Sequence, residues 1–163
     1  MCVEDRPGHG LVPLSIEILV LRVDEAGRWR YRRLVTALRD GETPDAAVRR
    51  QAGVDAGSEV TVVHSTSWRY EPRGRLVLTY AVCPDPDPDE PAEAPAELRI
   101  ARGAVPAGPT PEHLRLENVV AHALWHLARL LDTDPVVAAA LGATPAITHG
   151  LRGLPAPILV PSA

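Results

Sequence analysis

The stretch Thr36–Ser58, TALRDGETPDAAVRRQAGVDAGS, decides how the rest of the chain is read. Asp40-Gly41 is a turn signal. Thr43 can accept a backbone N–H as an N-cap, and Pro44 falls at the first helical position, where a missing N–H costs nothing. Asp45 places negative charge in the first turn, where the helix dipole favours it. The spacing predicts a loop, a short capped helix and a second loop, with Gly53 or Gly57 ending the helix.

Working outward, Ser15–Asp24 (SIEILVLRVD) is dominated by β-branched and apolar residues and reads as a buried strand. Glu25–Arg28 is a turn, and Trp29–Val35 returns as a partner strand on which Arg30, Arg32 and Arg33 are expected to keep the outer face soluble. Downstream, Glu59–Tyr70 alternates as a half-buried strand, with Val60, Val62 and His64 on one face and Thr61, Val63 and Ser65 on the other. Glu71–Gly74 is a hairpin turn, and Arg75–Cys83 is a strongly β-prone return strand.

Residues 84–95, PDPDPDEPAEAP, join stiff rings to like charges. They are expected to run extended and solvated rather than packed, with an acidic interaction tether as the functional alternative. Glu97–Ala101 reads as a short strand, and Gly103–Pro111 as a connection, with Thr110 a candidate cap. Between Glu117 and Leu131, Val120, Leu124, Leu127 and Leu131 recur with helical period. Asp132–Pro135 breaks that helix and starts another, Val136–Leu141, ending at Gly142. The expected organisation is a flexible lead-in at 1–13, one domain at 14–142, and a Pro-rich tail at 143–163. The tail's apolar Ile158–Val160 should dock as an extended segment or meet a second subunit.

The organising stretch resembles the signature segment of the Nudix family, whose members cleave nucleoside diphosphates linked to another group. That signature runs Gly, five residues, Glu, seven residues, Arg-Glu, an apolar residue, any residue, Glu-Glu, any residue, Gly. Here Glu42 stands at the loop Glu, Arg50 at the helix Arg and Gly57 at the last Gly. Gly41-Glu42-Thr43-Pro44 before an Ala-rich helix is common wording in the family. The resemblance covers roughly Ser15–Leu141 as an order of elements and implies a Nudix-type α/β/α sandwich with a mixed sheet.

The match departs where the family holds metal: Thr36 replaces the opening Gly, Gln51 the first helical Glu, and Val54 and Asp55 the final Glu pair. In the family the loop Glu and helix Arg tie loop to helix, while the later carboxylates hold a divalent cation against a pyrophosphate. Mg²⁺ needs oxygen ligands and normally one or two carboxylates. The resemblance thus implies a dismantled hydrolytic site, with Glu42, Arg50 and Asp55 as remnant candidates.

Composition bounds the remaining chemistry. All 17 basic residues are arginine, which removes Schiff-base and P-loop lysine chemistry. Phe is also absent, and drift in a GC-rich genome accounts for both absences. A formal net charge of −4 argues against nucleic acid as a partner. No apolar run is long enough to span a membrane, and the first residues do not read as a signal peptide, so a cytoplasmic protein is expected. Cys2 and Cys83 make neither a disulfide framework nor a metal-type spacing.

Two constellations stand outside the signature. Trp68, Arg69 and Tyr70, with Arg49, are candidate ligand contacts, because aromatic and guanidinium planes stack on a nucleobase. The bland reading is a core or rim aromatic. His122 and His126, spaced i, i+4, share a helix face and with Asp55 are weak metal candidates. Ala123 stands where a zinc-protease helix has its Glu, and no third ligand is evident.

The expected function is a non-hydrolytic binding or regulatory module for a nucleotide-like ligand or a protein partner, a homodimer included, with no cofactor. The alternative is a divergent Nudix hydrolase using Mg²⁺ held by Asp55, Glu42 and loop carboxylates. A scaffolding domain with Trp125 and Ile158–Val160 at an interface is a third reading.

Overall fold

The computed structural model describes residues 11–102 and 114–161. The lead-in over residues 1–10 and the connection at 103–113, with the Thr110 cap, lie outside the described residues.

Strand β1 (Leu14–Val23) runs through the middle of a four-stranded sheet ordered β2-β1-β4-β3, with β2 at Trp29–Thr36, β3 at Val62–Glu71 and β4 at Arg75–Cys83. β1 pairs antiparallel with β2 and parallel with β4, while β3 and β4 are antiparallel, so the sheet is mixed. Both faces of β1 are buried, which is why its sequence reads as an unbroken apolar run. Ile16, Ile18 and Val20 meet Ala47, Val48 and Ala52 of helix α1 (Pro44–Ala52) on one face. Leu19 and Leu21 meet α2 (Leu116–Thr133), α3 (Pro135–Gly142) and α4 (Pro145–Arg152) on the other. A parallel pair, β5 (Arg99–Arg102) with β6 (Ile158–Pro161), lies apart from this sheet. The expected mixed sheet between helical layers is therefore present. Among the described residues no helix is long and apolar enough to cross a membrane.

Helix caps follow the sequence reading. Thr43 Oγ1 accepts from the Ala46 N–H at 3.3 Å, and Gly53 closes α1 at φ 70°, a left-handed conformation that favours glycine. Gly53, not Gly57, is the terminator. Asp134 Oδ1 accepts from the Val136 N–H at 2.9 Å and so starts α3. The periodic residues of α2, Val120, Leu124, Leu127 and Leu131, are all buried.

Four expectations are corrected. The strand predicted over Glu59–Tyr70 begins only at Val62, which leaves Val60 exposed before it. Its pairing shifts between Ser65 and Ser67, so Thr66 is an extra residue and the alternation changes sides there. The acidic segment 84–95 is exposed over most of its length, as expected, but it is anchored to the sheet at Asp85 and Glu93 rather than running free. Buried Asp85 accepts from Arg22 at 2.7 Å and from Arg32 at 2.6 and 3.0 Å, and Glu93 exchanges backbone hydrogen bonds of 2.9 Å with Tyr31. The segment thus meets the outer edge of β2 at Tyr31. Arg30, Arg32 and Arg33 also form ion pairs, with Asp24, Asp85 and Glu17, although Arg33 keeps 44% of its side chain exposed.

The fourth correction concerns the tail, which folds back as α4 and seats Ile147 and Leu151 in the core. Gly150 lies in this helix because the Trp29 indole crosses it. A Cβ there would sit 3.2 Å from Trp29 Cζ2 and from Val23 Cγ2, and the indole N–H donates to the Gly150 carbonyl at 3.4 Å.

On the α2 face, Glu17 is 1% exposed and ties all four strands together. It accepts from Arg33 on β2 at 2.7 Å, from Arg69 on β3 at 2.8 and 3.2 Å, and from the Thr79 hydroxyl on β4 at 3.2 Å. Burial pushes its carboxyl up, but the hydrogen bonds and charges of Arg69 and Arg33 outweigh burial and hold it below the ordinary 4.5.

Two outcomes follow from this packing. Gly150→Ala should destabilise the fold by about 1–2 kcal/mol, because overpacking against the indole exceeds the gain in helix propensity. A urea midpoint at or above wild type would show that the indole yields. Glu17→Ala, which strands Arg69 in the interior, should cost about 3–5 kcal/mol in the same measurement.

Candidate functional site

Helix α1 and its entry loop place the signature residues. Arg50 donates to Glu42 through Nε at 2.7 Å and Nη2 at 2.9 Å, a two-point pair of guanidinium and carboxylate. The Arg39 backbone N–H donates to Glu42 Oε2 at 2.9 Å, and Arg50 Nη2 reaches the Ala37 carbonyl at 3.3 Å. The Arg50 hydrogen bonds, followed by the Arg39 N–H, hold the Glu42 carboxyl down at about 2 against an ordinary 4.5. Both oxygens of Glu42 are thereby engaged in tying the loop to the helix.

Asp55 is elsewhere. α1 ends at Ala52, so Val54 and Asp55 lie beyond the helix, where no i, i+3, i+4 column of side chains exists. Asp55 is exposed, and its carbonyl accepts from Arg49 Nη1 at 3.3 Å. Gln51 is exposed as well. This donor set does not fit Mg²⁺: one carboxylate is occupied, one is off the helix and Val54 has no donor. Among the described residues no group of three or more His, Cys, Asp or Glu is arranged to hold a metal ion.

A concavity adjoins this helix at Arg49. An open cleft of about 810 Å³ lies between the N-terminal end of β3 and α3. Its walls are mainly Val60, Val62 and Val63 on one side and Val136, Val137 and Ala140 on the other, with Arg49, Glu59 and His64 as its ionisable groups. Val136 is 77% exposed and Val60 52%, so apolar surface is presented there rather than hidden. The volume falls in the range of small-molecule sites, roughly 300–1,000 Å³.

The other expected contacts are not joined to it. Trp68 and Tyr70 lie exposed, 68% and 57%, on the α1 face near the far end of β3. Arg69 between them turns to the opposite face and is committed to Glu17. The three therefore do not form one stacking surface, because neighbouring strand residues alternate. A smaller hollow of about 340 Å³ runs between α2 and the residues after α4, lined by Trp125, Leu131, Leu154 and Pro157. Ile158 begins β6 there, paired with β5.

His122 and His126 do share a face of α2, and the fold adds a partner that the spacing could not show. His64 from β3 stacks on His126, with ring centroids 5.1 Å apart and planes 22° from parallel. No local motif links residues 58 or more positions apart; only the strand register of β3 brings His64 under the helix. Cys83, buried opposite Val62, is a free thiol, raised by burial and by the nearby Asp85 charge.

No protein-family model, no curated protein and no solved structure matches this chain.

The Glu42–Arg50 pair predicts a pH signature. A carboxyl lowered from 4.5 to about 2 contributes stability that is complete above 4.5 and is lost as pH falls towards 2. The urea-midpoint gap between wild type and Glu42→Gln should therefore be widest at pH 6 and narrow steadily between pH 4.5 and 2. A gap of equal size at pH 6 and pH 2.5 would show that the ionised pair is not what holds the loop.

Proposed function

We propose that this chain is a non-hydrolytic binding or regulatory module on a Nudix-type sandwich, and that a nucleotide-like ligand occupies the cleft between β3 and α3. One observation carries the reading. The two charged signature residues retained in type, Glu42 and Arg50, are bound to each other, Gln51 stands at the first helical metal position, and the helix stops before the other two, Val54 and Asp55. A Nudix-type site with that donor set lacks the column of helical carboxylates that would hold a cation against a pyrophosphate, and its one unengaged carboxylate, Asp55, lies off the helix.

The cleft supplies what binding requires. Valine side chains on both walls take a flat apolar body such as a base, and Arg49 stands at the rim for an anionic end. Its guanidinium holds only a backbone carbonyl at 3.3 Å, which a phosphate would displace. A protein partner inserting an apolar side chain beside an acidic one would satisfy the same groups.

Calorimetric titration with ADP-ribose and with nucleoside di- and triphosphates, with and without Mg²⁺, tests this, alongside phosphorus NMR of the same samples. Binding without turnover is expected, and Arg49→Ala should weaken it roughly 10- to 100-fold, the value of a charge-assisted hydrogen bond. Metal-dependent phosphate release that disappears in Asp55→Ala would overturn the proposal in favour of a divergent hydrolase. Neither heat nor turnover would remove the nucleotide and leave the protein partner.

A further inference from the structure

His64, His122 and His126 form a row of imidazoles where α2 lies on β3. Ring centroids are 5.1 Å apart between His64 and His126 and 6.2 Å apart between His122 and His126, with planes 22° and 25° from parallel. His122 Nδ1 and His126 Nε2 are shut off from solvent with no hydrogen-bond partner among the described residues. A neutral imidazole carries one N–H and one lone pair, so each orphaned nitrogen can stand as a bare lone pair at modest cost. Protonation changes that account. Each orphan becomes a donor without an acceptor, and each ring becomes a cation beside other rings of the row.

The row is also coupled to the cleft. His64 belongs to the cleft wall, and α2 passes through Asp134 directly into α3, whose Val136, Val137 and Ala140 form the opposite wall. Any displacement of α2 from β3 therefore moves both walls. We propose that the imidazole row is a proton-operated clasp between α2 and β3, closed while its rings are neutral, and that its opening on acidification reshapes the cleft. This inference does not depend on what the cleft binds.

Among the described residues the surrounding charges do not offer a counter-ion. α2 itself adds Arg129, another cation. From the β3 side, Glu59 lies at the cleft and not against the orphaned nitrogens, and β4 contributes only the neutral Cys83 thiol. α3 brings no ionisable side chain beyond its cap, Asp134, which already accepts from Val136 and Val137 N–H. On β5, Arg99 is paired with Glu97 at 2.9 Å, and α4 carries His149 and Arg152. Burial accordingly pulls His122 below the ordinary 6.5. Burial does the same to His126, reinforced by His64, His122 and Arg129. A depressed histidine contributes stability that is complete above 6.5 and is lost as pH falls below it. The buried carboxylates Glu17 and Asp85 are held below their ordinary values, so their acid limb lies at lower pH and does not overlap.

The test is a pH series from 8 to 5 on the full chain. Ring and backbone NMR would be recorded together with urea unfolding, in wild type, His126→Gln and a control at the exposed His149, His149→Gln. The unfolding constant should rise by up to about tenfold per pH unit for each depressed histidine below pH 6.5. His126→Gln should flatten that rise, and His149→Gln should leave it unchanged. The amides of Thr61–His64 and of Val136–Val137 should move with the same midpoint as the His126 ring. Unchanged pH dependence in His126→Gln, or cleft amides that stay still while the rings titrate, would overturn the proposal. If His126→Gln fails to fold, the wild-type spectra decide alone, since a clasp requires rings and cleft amides to share one midpoint.

Discussion

A single buried carboxylate organises the sheet. Glu17 on β1 is held by Arg33 from β2, Arg69 from β3 and the Thr79 hydroxyl from β4. An isolated carboxylate in that position would cost several kcal/mol, so each strand must arrive in register to supply its donor. The consequence is a sheet face with two ends. Around Glu17 it is polar and clasped by arginine, while from Leu19 onward it is aliphatic and accepts α2, α3 and α4. The helical layer is placed by this division as much as by the apolar period of α2.

Asp85 repeats the device at the sheet's edge. Burial would push its carboxyl up, but Arg32, the Asp87 N–H and Arg22 hold it below its ordinary value. The same contacts anchor an acidic, proline-rich segment that meets the outer edge of β2 at Tyr31. Arginine suits both sites, because a planar guanidinium answers two carboxylate oxygens at once and stays charged when partly buried. A composition without lysine is thus put to structural use, whatever its origin.

The α1 region puts its charged pair to architectural use. Its Glu–Arg pair, N-cap and terminating glycine are all in place, and all serve the loop–helix junction. The neighbouring cleft draws its groups from α1, a loop, a strand and a separate helix. The imidazole row behind it joins the same strand to the same helical unit.

What the sequence determined by itself were features whose cause lies within a few residues. The caps at Thr43 and Asp134, a glycine stop for α1 at Gly53 or Gly57, the periodic face of α2 and the apolar run of β1 each follow from local backbone chemistry or from side-chain period. The sense and order of pairing, the bulge at Thr66, the docking of residues 84–95 and helix α4 were decided only by tertiary structure. Their partners are remote: Arg22 and Arg32 for Asp85, Trp29 for Gly150, His64 for His126. Charge and proline content predict the exposure of most of 84–95 but not its anchor, because nothing in that segment announces two arginines waiting on other strands. The Trp68-Arg69-Tyr70 triplet looked like one surface for a related reason. Adjacency along a chain is not adjacency in a strand, and a buried Glu17 on the opposite face claims the arginine.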